Sequence, residues 1–313
     1  MAISYSEEET RLLNEALFEK IASDDPYMLK EAVDAVNDFT RVTMREDGIL
    51  RRVMPPIPIA NSDLDRLPNT DKPVKVVDME PGSPAAVSVP FNTLPKNFYI
   101  RGKRYVVTFD RIQTRRFVKD VDELRTYMMD IRSVISDNAI KDMLVVEDTS
   151  FFGTVDSALV GVGSTVPFSG AVQYQSISGG VSRDSLWDAF KIMPQTPSNL
   201  EVHTCVVNNI TIKEFAKFQR SEMGGNLSED IMRNGWSQEN FMGVRWIVTI
   251  KRNIVGNNHL YMFADPKFLG KHYQLEDTTM HVERNAYLIE FFAYQTAGAA
   301  IGHTGGLAHA VFA

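Results

Sequence analysis

NNHLYMFADPKFLGKHYQLEDTTMHVERNAYLIEFFAYQTAGAAI, residues 257–301, is the stretch on which the fold turns. Gly256, Asn257 and Asn258 tolerate positive backbone angles and lie between the apolar runs Val244 to Ile254 and His259 to Ala264, so the pattern predicts a hairpin there. Asp265 followed by Pro266 is an N-cap with proline at the first helical position, which predicts a short helix. Beyond it, Thr279 to Phe312 is dominated by apolar, aromatic and small residues suited to strands.

Toward the N-terminus, Glu201 to Val207 reads as a strand. Helices are expected from about Arg183 to Met193, and from Thr211 and Glu214 to Gly224 and Gly225. The alternation makes this an α+β chain. GTVDSALVGVGSTVPFSGAVQYQSISGG, residues 153–180, is rich in Gly, Ser, Thr and Val and predicts irregular strands and loops after Phe152, with a domain boundary near Ser150. Before it, Asp120 and Glu123 have N-cap spacing, and Val121, Leu124, Met128, Ile131 and Ile135 recur at three and four. That spacing predicts a helix of about seven turns reaching about Glu147, whose apolar seam fades at Asn138 and Asp142.

Between Val74 and Val118 the runs VKVVDME, AAVSVPF, NFYI and KRYVVTFDRIQT are separated by the turn residues PGSP and RG, which predicts one or two long hairpins. ILRRVMPPIPIANSDLDRLPNTDKP, residues 49–73, reads as an extended arm, because each proline removes an amide donor and forces its predecessor into extended conformations. The apolar residues of the arm have no periodic partner within it, so they are expected to lie against another surface, of this chain or another; a solvated linker is the alternative. Ser6 and Glu9 open a first amphipathic helix along Leu12, Leu13, Ala16, Leu17 and Ile21. Asp25 and Pro26 open a second, carrying Leu29, Ala32, Val33, Val36 and Phe39 and ending near Gly48.

A chain of 313 residues with 44% hydrophobic and 23% charged residues is an ordinary globular composition with enough length for a substantial core. Its net charge of -7 disfavours a protein that works by neutralising phosphate. Cys205 is the only cysteine, which excludes an intrachain disulfide and a thiolate-rich metal site and fits folding in a reducing cytosol. The acidic N-terminus MAISYSEEETRLLNEALFEK does not read as a secretory signal. No apolar run is long enough to span a bilayer, since Tyr287 to Ile301 is broken by Glu290, Gln295 and Gly298.

No sequence pattern carries catalysis. The six histidines include no HExxH, and His303 with His309 is the nearest pair, too little for a metal site. Gly161 and Gly163 lack the third glycine or the Gly-Lys-Ser/Thr of a phosphate loop, and no serine has the flanking glycines of a nucleophile elbow. Cys205 lies in an apolar run where desolvation disfavours the thiolate, so a core cysteine is expected. Carboxylate pairs such as Glu229 with Asp230 are background. Arg101, Lys103, Arg104, Arg111, Arg115 and Arg116, interleaved with Tyr105, Phe109 and Phe117, read in two ways. One is single-stranded nucleic-acid binding; the other, preferred, is ion pairing with acids of another subunit, for which Asp120, Asp122 and Glu123 are candidates.

Taken in order, MREDGILRRVMPPIPI (44–59), KDVDELRTYMMDI (119–131), Phe263-Ala264-Asp265-Pro266 and the 257–301 stretch resemble the major capsid proteins of tailed bacteriophages, which have the Hong Kong 97-type fold. The resemblance covers the whole chain through element order and diffuse patterns. It implies N-terminal helices and an arm over 1–73, and an extended loop over 74–118. It further implies a peripheral domain with a long spine helix over 119–150 and 255–290, and an axial domain over 151–254 and 291–313. It also implies a non-enzymatic subunit, without cofactor or metal, that self-assembles as hexamers and pentamers into an icosahedral head around double-stranded DNA bound without sequence specificity. Assembly in the bacterial host cytoplasm, location in the virion, and scaffolding, portal and decoration proteins as further partners belong to the same expectation. Some relatives cross-link a lysine to an asparagine. Lys96 and Lys103 lie in the loop, but no local match identifies the partners and the cross-link is not carried over. An encapsulin shell is the alternative reading; an α+β enzyme with an unrecognised site is the alternative of another class.

Overall fold

The computed structural model describes residues 48–67, 71–81, 86, 88–94, 100–124, 131–163, 173–215 and 240–313. In chain order its strands are β1 (Ile57–Pro58), β2 (Val74–Met79), β3 (Lys103–Thr108), β4 (Asp110–Gln113), β5 (Phe117–Asp120), β6 (Tyr174–Ile177) and β7 (Thr204–Asn208). There follow β8 (Asn240–Phe241), β9 (Val244–Thr249), β10 (His259–Phe263), β11 (Gly270–Asn285), β12 (Leu288–Ile301) and β13 (Leu307–Phe312).

Six strands form one sheet in the order β6-β13-β10-β7-β9-β8. Its central strand β7 is buried at every position, as a strand covered on both faces must be. Side chains alternate across it. Cys205, Val207, Leu260 and Met262 face the helix Arg183–Ile192 through Leu186, Ala189 and Ile192. Val206, Tyr261 and Phe263 face Phe151, Phe152, Val155 and Leu159 of the long helix Ile131–Gly163. Ser182 and Ser185 cap the helix Arg183–Ile192 reciprocally, which fixes where it starts.

The second sheet is built on the antiparallel pair of β11 and β12, with β1 parallel to β11 on one edge and β4 and β5 along β12 on the other. Ala139 and Met143 of the long helix pack on Met280 and Ala293 of this pair. One helix therefore bridges two sheets, its first half on the second sheet and its last turns on the six-stranded one. The third sheet is the pair β2 and β3 alone.

The α+β class, the helix Arg183–Ile192, the strand near Thr204 and the strands of the C-terminal stretch match the sequence reading. Several expectations need correction. The runs around Val244 to Ile254 and His259 to Ala264 do not pair as a hairpin: β7 lies between them, parallel to β9 and antiparallel to β10. The turn residues are real, with Asn258 at φ 63, but β7 supplies a fully buried strand with an apolar centre, Cys205 to Val207, that outcompetes local pairing.

The loops expected directly after Phe152 and the boundary at Ser150 fail, because the long helix continues to Gly163, while later in the same stretch the strand β6 and the bends after it match the expectation. Burial of Phe151, Phe152, Val155 and Leu159 outweighs the weak helix propensity of the glycines. Its seam does not end at Asn138; it moves to Ala139, Ile140, Met143 and Leu144. The expected divisions at 255 and 290 likewise cut through sheets: β10 belongs with β7, and 291–301 continue the strand paired to β11. Residues 49–53 are a short helix rather than extended chain. The two expected N-terminal helices, the helix beyond Phe215, Ala85 and Val87 of AAVSVPF, and all of NFYI but Ile100 lie outside the described residues; the described part of AAVSVPF, 86 and 88–91, forms no strand.

Candidate assembly interface

The pair β2 and β3 starts in register at Val74 opposite Thr108 and ends at Met79 opposite Lys103. Its base is anchored by Val74, Val107 and Phe109, all buried. Beyond Met79 the chain leaves the core. Val89, Phe91, Leu94 and Ile100 are exposed, Phe91 completely and Leu94 at 92%. A lone two-stranded ribbon is marginal in water, and a cluster of bare apolar side chains at its end is characteristic of a surface that meets a partner.

Two glycines seat the base. A Cβ on Gly298 of β12 would come within 2.4 Å of the Thr108 carbonyl oxygen, and one on Gly302 within 2.8 Å of the Tyr105 ring. Only a bare backbone lets β3 pass this close over the end of β12. Beside this crossing lies a groove of about 720 Å³ lined by Met79, Tyr105, Leu200, Phe268, Lys267 and Lys271 among others.

The nine residues expected to make intersubunit contacts lie at or near the surface. Three of the cations have partners within the chain: Arg104 pairs with Asp78 at 2.6 Å, Arg116 with Glu290 at 3.1 Å and Arg111 with Glu276 at 3.9 Å. Arg111 and Arg116 also lie over the rings of Tyr294 and Phe292. Of the acids, Glu123 takes Lys119, and Asp120 accepts the backbone N–H of Asp122. Arg101, Lys103 and Arg115 have no ion pair among the described residues. The structure does not bring the six cations and three acids together within one chain.

A buried polar cluster sits where the short helix Ile49–Val53 meets the long helix. Arg51 and Glu147 form a two-bonded pair, and Gln295 and Thr278 complete its hydrogen bonds. The neighbouring Asp148 accepts the backbone N–H groups of Ile49 and Leu50 and binds Lys251. Nothing in the local sequence pairs Arg51 with a residue 96 positions away, so this cluster was not legible before the fold.

A second, part-buried group joins His259 and the buried His309, whose Nδ1 and Nε2 are 2.9 Å apart, with Tyr261 stacked on His309 and bonded to the exposed Asp156 of the long helix. Burial and the neighbouring His259 push His309 down to about 3; burial lowers His259 and raises Asp156. His309 therefore pairs with His259 rather than His303. Among the described residues no group of three His, Cys, Asp or Glu could hold a metal. Cys205 is fully buried, and burial pushes its thiol well up, as expected for a core cysteine.

Two sheets bridged by one long helix, with a separate two-stranded hairpin, constitute the capsid-type α+β fold. Solved structures agree. The chain is similar to the capsid structure of cyanophage P-SCSP1u, with a TM-score of 0.59, 13% identity, and coverage of 85% of this chain and 88% of that one. It is similar to the Microbacterium phage Oxtober96 structure at a TM-score of 0.59 and 10% identity over 85% and 91%. The virus-like particle from Pyrococcus furiosus matches at a TM-score of 0.57 and 14% identity over 90% and 99%. At such identities the likeness is one of fold. A scan against protein-family models and a search of curated proteins give no match.

Proposed function

We propose that this chain is the major capsid protein of a tailed bacteriophage, a shell subunit whose copies assemble as hexamers and pentamers into the icosahedral head around double-stranded DNA. The observation that carries the reading is the loop between β2 and β3, which leaves Phe91 and Leu94 bare in a chain with a capsid fold. A subunit gains by burying those side chains on its neighbour, and contacts of this head-to-tail kind close into rings when the rotation between copies closes. Arg101, Lys103 and Arg115, unpaired within the described chain, are the cations left for such contacts, and Asp122, exposed at the start of the next helix, is an acid they would meet. The role is structural rather than catalytic. A net charge of -7 suits a container that must release its DNA. Assembly would take place in the host cytoplasm, with scaffolding, portal and decoration proteins as partners.

A second reading is a cellular shell enclosing protein cargo, favoured by the likeness to the particle from Pyrococcus furiosus over 99% of that chain. Negative-stain electron microscopy of the purified protein tests both. Closed shells or ring-shaped capsomers support a shell subunit, DNA or protein inside distinguishes the two readings, and a monomer at all concentrations, with scaffolding protein supplied as well, refutes both.

A further inference from the structure

We infer that Arg51 and Glu147 are positioning residues for assembly: their buried pair fixes where and at what angle the N-terminal segment leaves the long helix. The inference rests on the shell reading above. Arg51 Nε donates to Glu147 Oε1 at 3.2 Å and Nη2 to Oε2 at 3.1 Å, with both side chains under a tenth exposed. Nη2 also donates to Gln295 Oε1 at 3.0 Å, while Gln295 Nε2 returns a bond to Glu147 Oε2 at 2.9 Å and Thr278 donates to Gln295. The adjacent carboxylate, Asp148, takes the N–H groups of Ile49 and Leu50 at 3.2 and 2.9 Å. A Cβ on Gly48 would stand 3.2 Å from both Asp148 Oδ1 and Leu144 Cδ2, so the chain lies directly on the helix here.

Two consecutive carboxylates of one helix thus register four consecutive residues of the incoming chain. The five-residue helix Ile49–Val53 is too short to hold a direction unaided. A buried ion pair is a poor device for stability, because apolar side chains of similar volume usually hold a core as well or better. What apolar packing lacks is angle: the planar guanidinium meets the carboxylate through two parallel bonds in one orientation. The pair also lies where both sheets meet, since Gln295 and Thr278 belong to the β11 and β12 sheet and Lys251, bound to Asp148, follows β9. His272 Nε2 lies 3.5 Å from Glu147 Oε1, and burial lowers its pKa, so it leaves the carboxylate to Arg51 at neutral pH.

The test pairs assembly with geometry. Arg51→Met combined with Glu147→Leu removes the charges at similar volume, and Arg51→Lys keeps the charge but loses the fork. Both are expected to leave the unfolding midpoint of the free subunit close to the parent's and to reduce the yield of closed shells seen by electron microscopy. On the free subunit, nitroxides on cysteines at Asp47, where the N-terminal segment joins the clamped residues, and at the exposed Val145, with Cys205 buried, are expected to show a narrow distance distribution in the parent and a broad one in each variant. Normal shell yield from either folded variant, or an unchanged distribution, overturns the inference. So does loss of folding in both, since the pair would then be holding the core. If the parent itself makes no shells, with scaffolding protein supplied as well, the shell reading fails, and the distance measurement alone decides the clamp.

Discussion

Strand β7 and the loop beyond β2 carry the same kind of side chain and meet opposite fates. Cys205, Val206 and Val207 are at most 1% exposed between two layers of helix, whereas Val89, Phe91 and Leu94 stand in solvent. The six-stranded sheet is covered on both faces within one chain; the side chains of the loop beyond β2 are left bare by it. Apolar sequence alone does not distinguish the two, because hydrophobicity says that a residue seeks burial and not which molecule provides it. The comparison makes the chain half core and half connector.

Phe263→Ala breaks the comparison on the core side. The ring is fully buried against Phe151 and Phe152, so its loss should cost about 3–5 kcal/mol in urea unfolding of the free subunit. Phe91→Ala should change the same measurement by less than about 0.5 kcal/mol while reducing assembly. Gly298→Val probes the seam between core and connector. Its side chain cannot fit under the Thr108 carbonyl, and a loss of about 1–3 kcal/mol is expected as β3 is forced off β12.

The core side also carries a pH dependence. His309, pushed down to about 3 in the folded chain, is protonated near its ordinary 6.5 when unfolded. Between those values the unfolded state binds more protons, so the stability contributed by the neutral imidazole is complete above about pH 6.5 and is lost as pH falls toward 3. His259 works in the same direction and Asp156, raised by burial, in the opposite one; Tyr174 and Tyr261 face the same cluster. His309→Gln should flatten the slope of unfolding midpoint against pH over that window. The smallest effect belongs to the connector: Arg104 and Asp78 are both largely exposed, and Arg104→Ala should shift subunit stability by no more than about 0.5 kcal/mol.

What the sequence made legible follows the same division. The long C-terminal strands, the capped helix at Arg183 and the hairpin beyond Val74 rest on local patterns, and local patterns survive folding. The continuation of the long helix past Ser150 did not, because Gly153 and the small residues after it read as loop until a sheet is laid against Phe152, Val155 and Leu159. The insertion of β7 between β9 and β10 was equally hidden, since a turn at Asn257 and Asn258 is compatible with either pairing. Of the candidate contact residues, their surface placement was legible. The intrachain partners of Arg104, Arg111 and Arg116 were not, because Asp78, Glu276 and Glu290 are brought to them by register. The Arg51 and His309 clusters join residues tens of positions apart and left no local trace.

The deciding measurement concerns the connector. The structure rules out deleting 74–118 as a clean test, because β4 and β5 pair with β12 and Phe109 is buried. Met79 and Lys103 face each other, so residues 80–102 can be replaced by an Asn-Gly turn that closes the hairpin in its own register. Sedimentation velocity of the full and shortened chains side by side tests the account. It expects the full chain to sediment as closed shells or capsomers and the shortened one as a folded subunit of unchanged urea stability. Shells of normal size from the shortened chain would contradict it.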